Sequence, residues 1–199
     1  MLVRLAEGTL TTRFGQFSEV LYYDGLKESI ALFMGDIAGK HDVLCRVHSS
    51  CISAHIFNSI ECDCREQMEI SQFLIQQAGC GIIIWLDQEG KGNGHMALLA
   101  SAELRAQGLG QTDAYERLGY HRDARSYTRA AEMLADLGVA SINLLTNNPS
   151  KADDLVKHAV QVTGCTRVAI DPSDNPILSK TYEDKIRNGH LLDLSTKPC

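Results

Sequence analysis

The chain has no apolar run near the roughly 20 residues a membrane helix needs, its most apolar short stretch being GIIIWL at 81–86. It opens MLVRLAEG, without the apolar segment of a secretory signal. Positive charge is scarce as well, and a formal net charge of −6 leaves no basic field for a nucleic-acid polymer. Paired cysteines are missing: there are seven, an odd number at irregular spacing. These absences imply a soluble, cytoplasmic chain with no membrane partner, whose thiols stay reduced and for which disulfides are not expected. A small phosphorylated ligand is still admissible, because a few fixed cations in a cleft outweigh a mildly acidic exterior. Nothing resembling a repeat, low-complexity tract or linker interrupts the 199 residues, and 44% hydrophobic content suffices for one core, so the expectation is a single domain over 1–199.

What is present changes its hydrophobic period along the chain. LYY near residue 21, SIALFMGDI at 29–37 and DVLCRVH at 42–48 predict short strands of an antiparallel meander. REQMEISQFLIQQA, with Met68, Ile70, Phe73, Leu74 and Ile75 on a helical period, predicts a helix over 65–78 that stops at Gly79. The buried strand GIIIWL follows, then a glycine loop, helices near 95–107 and 124–137, a strand SINLLTN at 141–147, a helix after Pro149 with Ser150 as N-cap and Asp153 three residues on, and a strand CTRVAI at 165–170. The fold class expected is α/β, of the α+β type: a mixed sheet, strand-rich in its N-terminal half and β/α in its C-terminal half, with helices packed against it.

Three thiols fall within fourteen positions, CISAHIFNSIECDC at 51–64, in the pattern C-x10-C-x-C. Three protein ligands leave one tetrahedral position of a zinc ion for water, whose pKa falls to about 7. A closed structural site completed by Cys45, His48 or Cys80, and ordinary buried cysteines, are the alternatives at this point. Cys64 stands at the predicted helix start, where the macrodipole favours a thiolate. LDQEGKGNGH at 86–95 is a glycine-rich strand-to-helix turn able to aim N–H groups at phosphate, although it matches neither the Walker nor the dinucleotide pattern. In HRDARSY at 121–127, Asp123 would serve equally as a helix N-cap; in LLTNNPSK at 144–151, Thr146 and Lys151 stand at a strand end where ligands bind in α/β sheets, or Lys151 is a solvated first-turn lysine.

RVHSSC (46–51), CDC (62–64), QEG (88–90), LGYHRDAR (118–125), LLTNNPSK (144–151) and KTYEDKIRNGHLL (180–192), in this order, make the chain resemble GTP cyclohydrolase II, the zinc enzyme that opens riboflavin biosynthesis. The resemblance runs over nearly the whole chain, with no room for the dihydroxybutanone-phosphate synthase domain fused to this enzyme in some organisms. It implies Cys51, Cys62 and Cys64 as zinc ligands, Asp123 as proton acceptor and Arg125 as nucleophile or electrostatic clamp. Nucleotide contacts would come from Arg46, Val47, His48, Ser49, Gln67, Glu89, Gly90, Lys91, Thr146 and Lys151. GTP, carried with Mg2+ on its phosphates, would lose pyrophosphate, open at C8 with the help of zinc-activated water and release formate, leaving 2,5-diamino-6-(5-phosphoribosylamino)pyrimidin-4(3H)-one. A homodimer is implied too.

Several positions depart from the family pattern. Ser50 stands where RVHSEC has a carboxylate, Glu61 and Arg65 flank the CDC triplet where RCDCG is usual, and Lys91 replaces an arginine after QEG. GNGHMALL replaces a run toward NIGL, and Ala102 stands where the family commonly has a tyrosine near the reacting base. The alternatives this raises are an enzyme that stops at the N-formyl nucleotide or takes another purine nucleotide, compensation by His95 or Tyr115, and a non-catalytic zinc or redox-sensing module.

Overall fold

The computed structural model describes residues 2–192. Seven strands, β1 (Val3–Thr12), β2 (Gly15–Tyr23), β3 (Glu28–Met34), β4 (Val43–Ser49), β5 (Gly81–Leu86), β6 (Ile142–Leu145) and β7 (Val162–Thr166), form one sheet in the order β1-β2-β3-β5-β4-β6-β7. The first three are an antiparallel meander and β3 pairs antiparallel with β5; β5, β4, β6 and β7 are mutually parallel neighbours. This is the mixed sheet expected, with one correction. DVLCRVH does not continue the meander: as β4 it lies between β5 and β6, because a strand buried on both faces is satisfied only inside the sheet.

Helices cover both faces. They are α1 (Ile52–His55), α2 (Cys64–Ala78), α3 (His95–Ala100), α4 (Ala102–Ala106), α5 (Gln111–Arg117), α6 (Thr128–Asp136), α7 (Pro149–Lys157) and α8 (Pro176–Arg187). Alternation along the strands sorts the core. Val43, Cys45 and Val47 of β4 and Ile82, Ile84 and Leu86 of β5 pack with Met133 and Leu134 of α6 and Leu155 of α7. Leu44 and Ile83 turn the other way, onto Ile75 and Met68 of α2. Each fully buried Ile or Leu contributes roughly 1.5–3 kcal/mol. The same alternation sends Arg46 and His48 to the α2 face, where α2 supplies Gln67 as a partner.

Other boundaries differ from the sequence reading for local reasons. The helix expected over 95–107 breaks at Ser101 (φ −77°, ψ −7°), whose hydroxyl donates to the Leu98 carbonyl. The helix expected from 124 begins at Thr128, because Ala124 N donates to the Lys91 carbonyl and 124–127 is held as a loop. Asn148, not Ser150, caps α7: its Oδ1 accepts from Ser150 N at 3.1 Å, with Pro149 in the first turn. The last strand is 162–166 rather than 165–170, in register with β6. Sequence reading missed β1, α1, α5 and α8. Cys165 is disulfide-bonded, which corrects the expectation that all the thiols stay reduced. No helix among the described residues is long and apolar enough to cross a membrane.

Candidate active site

Because β4, β5 and β6 run parallel, their carboxyl ends open on one edge of the sheet, and three segments carrying candidate residues leave from there: 50–64 after β4, 87–95 after β5 and 146–151 after β6, while Asp123 and Arg125 come from the loop between α5 and α6, where Ala124 N donates to the Lys91 carbonyl.

The sulfurs of Cys51, Cys62 and Cys64 lie within 4.8 Å of one another, with Cys62 Sγ and Cys64 Sγ 2.9 Å apart. Bonds of about 2.3 Å to a tetrahedral zinc would put sulfurs about 3.8 Å apart, so the trio fits that ion. Proton sharing points the same way. Hydrogen bonds from Cys51 and Cys64 hold the Cys62 thiol well below its usual pKa, while the donors rise, Cys51 to about 12. A divalent ion held by the three sulfurs would favour the thiolate form of each. Cys45 lies in the sheet core and Cys80 donates to the Asp36 carbonyl, so neither joins the trio; His48 turns its ring to His55 at 4.9 Å instead.

Backbone contacts hold the thiol loop to its neighbours. Glu89 Oε2 accepts from Ile52 N at 2.8 Å, tying the QEG turn to the start of α1. Asp63 stands at the N-cap position of α2 without capping it; Gln67, Tyr182 and Lys185 all donate to its buried carboxylate. Gln67 also accepts from Arg46, which reaches the Leu145 carbonyl at 2.8 Å and approaches His48 Nδ1 at 3.4 Å.

Cations crowd the same strand ends. Lys151 is buried, donates to the Val47 carbonyl at 2.7 Å and sits over the Tyr127 ring, which disposes of the solvated-lysine alternative. Lys91, in the left-handed region at φ 54°, donates to Thr112. Arg125 forms a two-pronged ion pair with Asp123, which is therefore not a helix cap. Burial and neighbouring positive charge lower the pKa values of Lys151 and Lys91, and burial lowers that of Arg46. Arg125 is the exception: Tyr127 and Asp123 outweigh the cost of its burial and raise its pKa. Burial keeps His48 neutral, and its Nε2 has no protein partner; Ser49 Oγ is likewise buried without one. Thr146 hydroxyl accepts from Asn148 N, shaping the turn into α7. Gly90, at φ 58°, lies over the Tyr115 hydroxyl, which accepts from Gln111 Nε2 at 2.7 Å. Val47 contributes its backbone only, its side chain being core.

The family departures turn out to have scaffold contacts. Arg65 donates to the Ala54 and His55 carbonyls and closes α1, Glu61 pairs with Arg105 at 3.5 Å, and Ser50 Oγ accepts from Gln88 N. Ala102 is exposed at the break between α3 and α4. The sequence reading assigned no role to Asp63, Tyr182, Lys185 or His190. The signal available was the KTYEDKIRNGHLL segment, which carries resemblance without a recognisable chemical pattern.

Comparison with known proteins places the chain in a family. Residues 3–167 match the family model of GTP cyclohydrolase II. The chain is 38% identical to the riboflavin biosynthesis protein RibBA of Endomicrobium trichonymphae over 92% of its own length and 46% of that protein's. It is 38% identical to RibBA of Bacillus mycoides over 98% of its length and 49% of that protein's, so the chain spans about half of these relatives. A crystal structure of RibBX, a two-domain 3,4-dihydroxy-2-butanone 4-phosphate synthase from A. baumannii, aligns at a TM-score of 0.41 and 20% identity over 73% of this chain and 34% of that one, too remote to bear on the fold. With its family model matched from β1 to just past β7, the chain belongs to the GTP cyclohydrolase II family.

Proposed function

We propose that residues 1–199 form one GTP cyclohydrolase II domain that hydrolyses GTP at C8 of its imidazole ring, with release of pyrophosphate and formate. The observation that supports this most directly is the juxtaposition, at one sheet edge, of three mutually close thiols with four cations, three of which have depressed pKa values. A polyphosphate would relieve that crowding. Cys51, Cys62 and Cys64 would hold zinc. When bound, zinc supplies a Lewis acid that makes water nucleophilic near neutral pH.

The chain's own residues do the rest. Arg46, Lys91, Arg125 and Lys151 attract and orient the triphosphate and its Mg2+, and Glu89 keeps the QEG turn in place against the thiol loop. His48, neutral, and Ser49 offer polar atoms to the nucleotide without adding charge. The Asp123 carboxylate fixes the Arg125 plane and keeps it charged, which favours an electrostatic clamp on the leaving pyrophosphate over a deprotonated nucleophile. A homodimer belongs to the same proposal.

The test is turnover. Zinc-loaded protein with GTP and Mg2+ is expected to yield pyrophosphate, formate and the deformylated product by mass spectrometry, and Cys51→Ser is expected to lose all turnover while keeping its circular dichroism. Retention of the formyl group would show that the loss of a tyrosine at position 102 is uncompensated. Full activity of Cys51→Ser would sink the zinc assignment.

A further inference from the structure

We propose that α8, which lies beyond the matched family segment, is a strap that sets the position of the thiol loop, with Tyr182 and Lys185 as positioning residues acting through Asp63. The inference rests on the zinc reading of that loop.

Asp63 is fully buried between two of the three clustered thiols. A carboxylate there is costly unless every oxygen is paired. Tyr182 hydroxyl and Gln67 Nε2 each donate to Oδ2 at 2.6 Å, and Lys185 Nζ donates to Oδ1 at 2.5 Å. The backbone on the N-terminal side of the loop is tied to the same helix: Asn175 Nδ2 donates to the Ile60 carbonyl at 2.9 Å and Thr181 hydroxyl to the Glu61 carbonyl at 2.8 Å. Residues 60, 61 and 63 are thus bonded to partners more than a hundred positions away. The helix is anchored independently, since Asp184 accepts from Gln111 N at 3.3 Å, Leu191 N donates to the Asn147 carbonyl at 2.8 Å, and Leu178, Tyr182 and Leu192 form a small cluster separate from the sheet cores.

The loop's other ties lie mainly at its α1 end, where Glu89 accepts from Ile52 N and Arg65 donates to the Ala54 and His55 carbonyls. It is bounded by a four-residue α1 whose N-cap has no side-chain bond, and Ile56, Phe57 and Ile60 are exposed. A buried ion pair adds little net stability because desolvation offsets the attraction, but its charge-assisted bonds are directional and fix where the loop sits. Through Gln67 the same carboxylate is linked to Arg46, so the strap joins the thiol cluster to the cation side of the site.

The experiment measures zinc release from the loaded full-length protein into excess chromophoric chelator, with circular dichroism and thermal melting as the check on folding. Lys185→Met is expected to release zinc about tenfold faster, the lower end of what loss of an outer partner costs a metal site. Tyr182→Phe should show a smaller acceleration, Lys185→Arg a near-normal rate, and Glu183→Ala, on the exposed face of α8, no change. Should Lys185→Met not fold, Tyr182→Phe decides, since it removes one hydroxyl only. Wild-type release rates in the folded Tyr182 and Lys185 variants would overturn the strap. Failure of the wild type to take up zinc would instead overturn the zinc reading, and the strap with it.

Discussion

Arg125 shows what one side chain in this site can do. Its guanidinium is held to Asp123 by bonds from Nε at 2.9 Å and from the terminal nitrogen at 2.5 Å, a fork that only arginine makes. Arg125→Ala is expected to abolish pyrophosphate release together with ring opening. Arg125→Lys, which keeps the charge without the fork, should retain measurable pyrophosphate release with a raised KM for GTP. A coupled pyrophosphate assay reads both, and normal release by the alanine variant would remove Arg125 from the phosphate chemistry. At this scale the sequence exposed the residue types but not their states. The spacing of Cys51, Cys62 and Cys64 was legible because three thiols so near in sequence have few places to go. The burial of Lys151 was not, since a lysine in a first helical turn ordinarily points to water, and only β4 running beside α7 supplies the Val47 carbonyl that takes its ammonium inward.

Among elements, the turn after β5 depends on a close approach. Gly92 has φ +82°, and a Cβ there would lie 2.7 Å from the carbonyl carbon and oxygen of Ala124. Gly92→Ala should therefore lower stability by roughly 1–3 kcal/mol, the scale of a strained backbone position. It should also push the 123–125 loop away, so that turnover of the folded variant falls. Thermal melting and kcat at a temperature well below the transition test this, and an unchanged pair of values would show that the contact is not needed. The long amphipathic helix α2 and the apolar strand β5 were readable, because their periods are strong and glycines punctuate them. The helix α8 was not read, since its apolar positions serve a three-residue side cluster and its polar ones serve Asp63. The break at Ser101, marked by a local bond from its hydroxyl to the Leu98 carbonyl, and the loop at 124–127, held by the long-range bond from Ala124 N to the Lys91 carbonyl, were equally hidden.

Across the whole molecule, four separate segments deliver Lys91, Arg125, Lys151 and Lys185 to the surroundings of His190, which is half-buried. Burial first, and then these four cations, lower its pKa from 6.5 to about 3. The sign follows from linkage: an unfolded chain takes up the proton as pH falls below about 6.5, while the folded chain refuses it until about pH 3. Stability present above that window is lost progressively within it. His190→Gln should lose less stability than wild type between pH 6.5 and 4, as measured by denaturant melts; parallel pH profiles would place His190 outside the cationic cluster. By itself the sequence determined the family motifs, the close spacing of three thiols and a mixed sheet with helices, because these depend on local spacing and period. Only the tertiary structure decided that β4 lies inside the parallel half, that Arg46, Lys91, Arg125 and Lys151 come together near its carboxyl edge, and that α8 grips Asp63. Those are contacts between residues far apart in sequence, and chain topology rather than local preference brings them together.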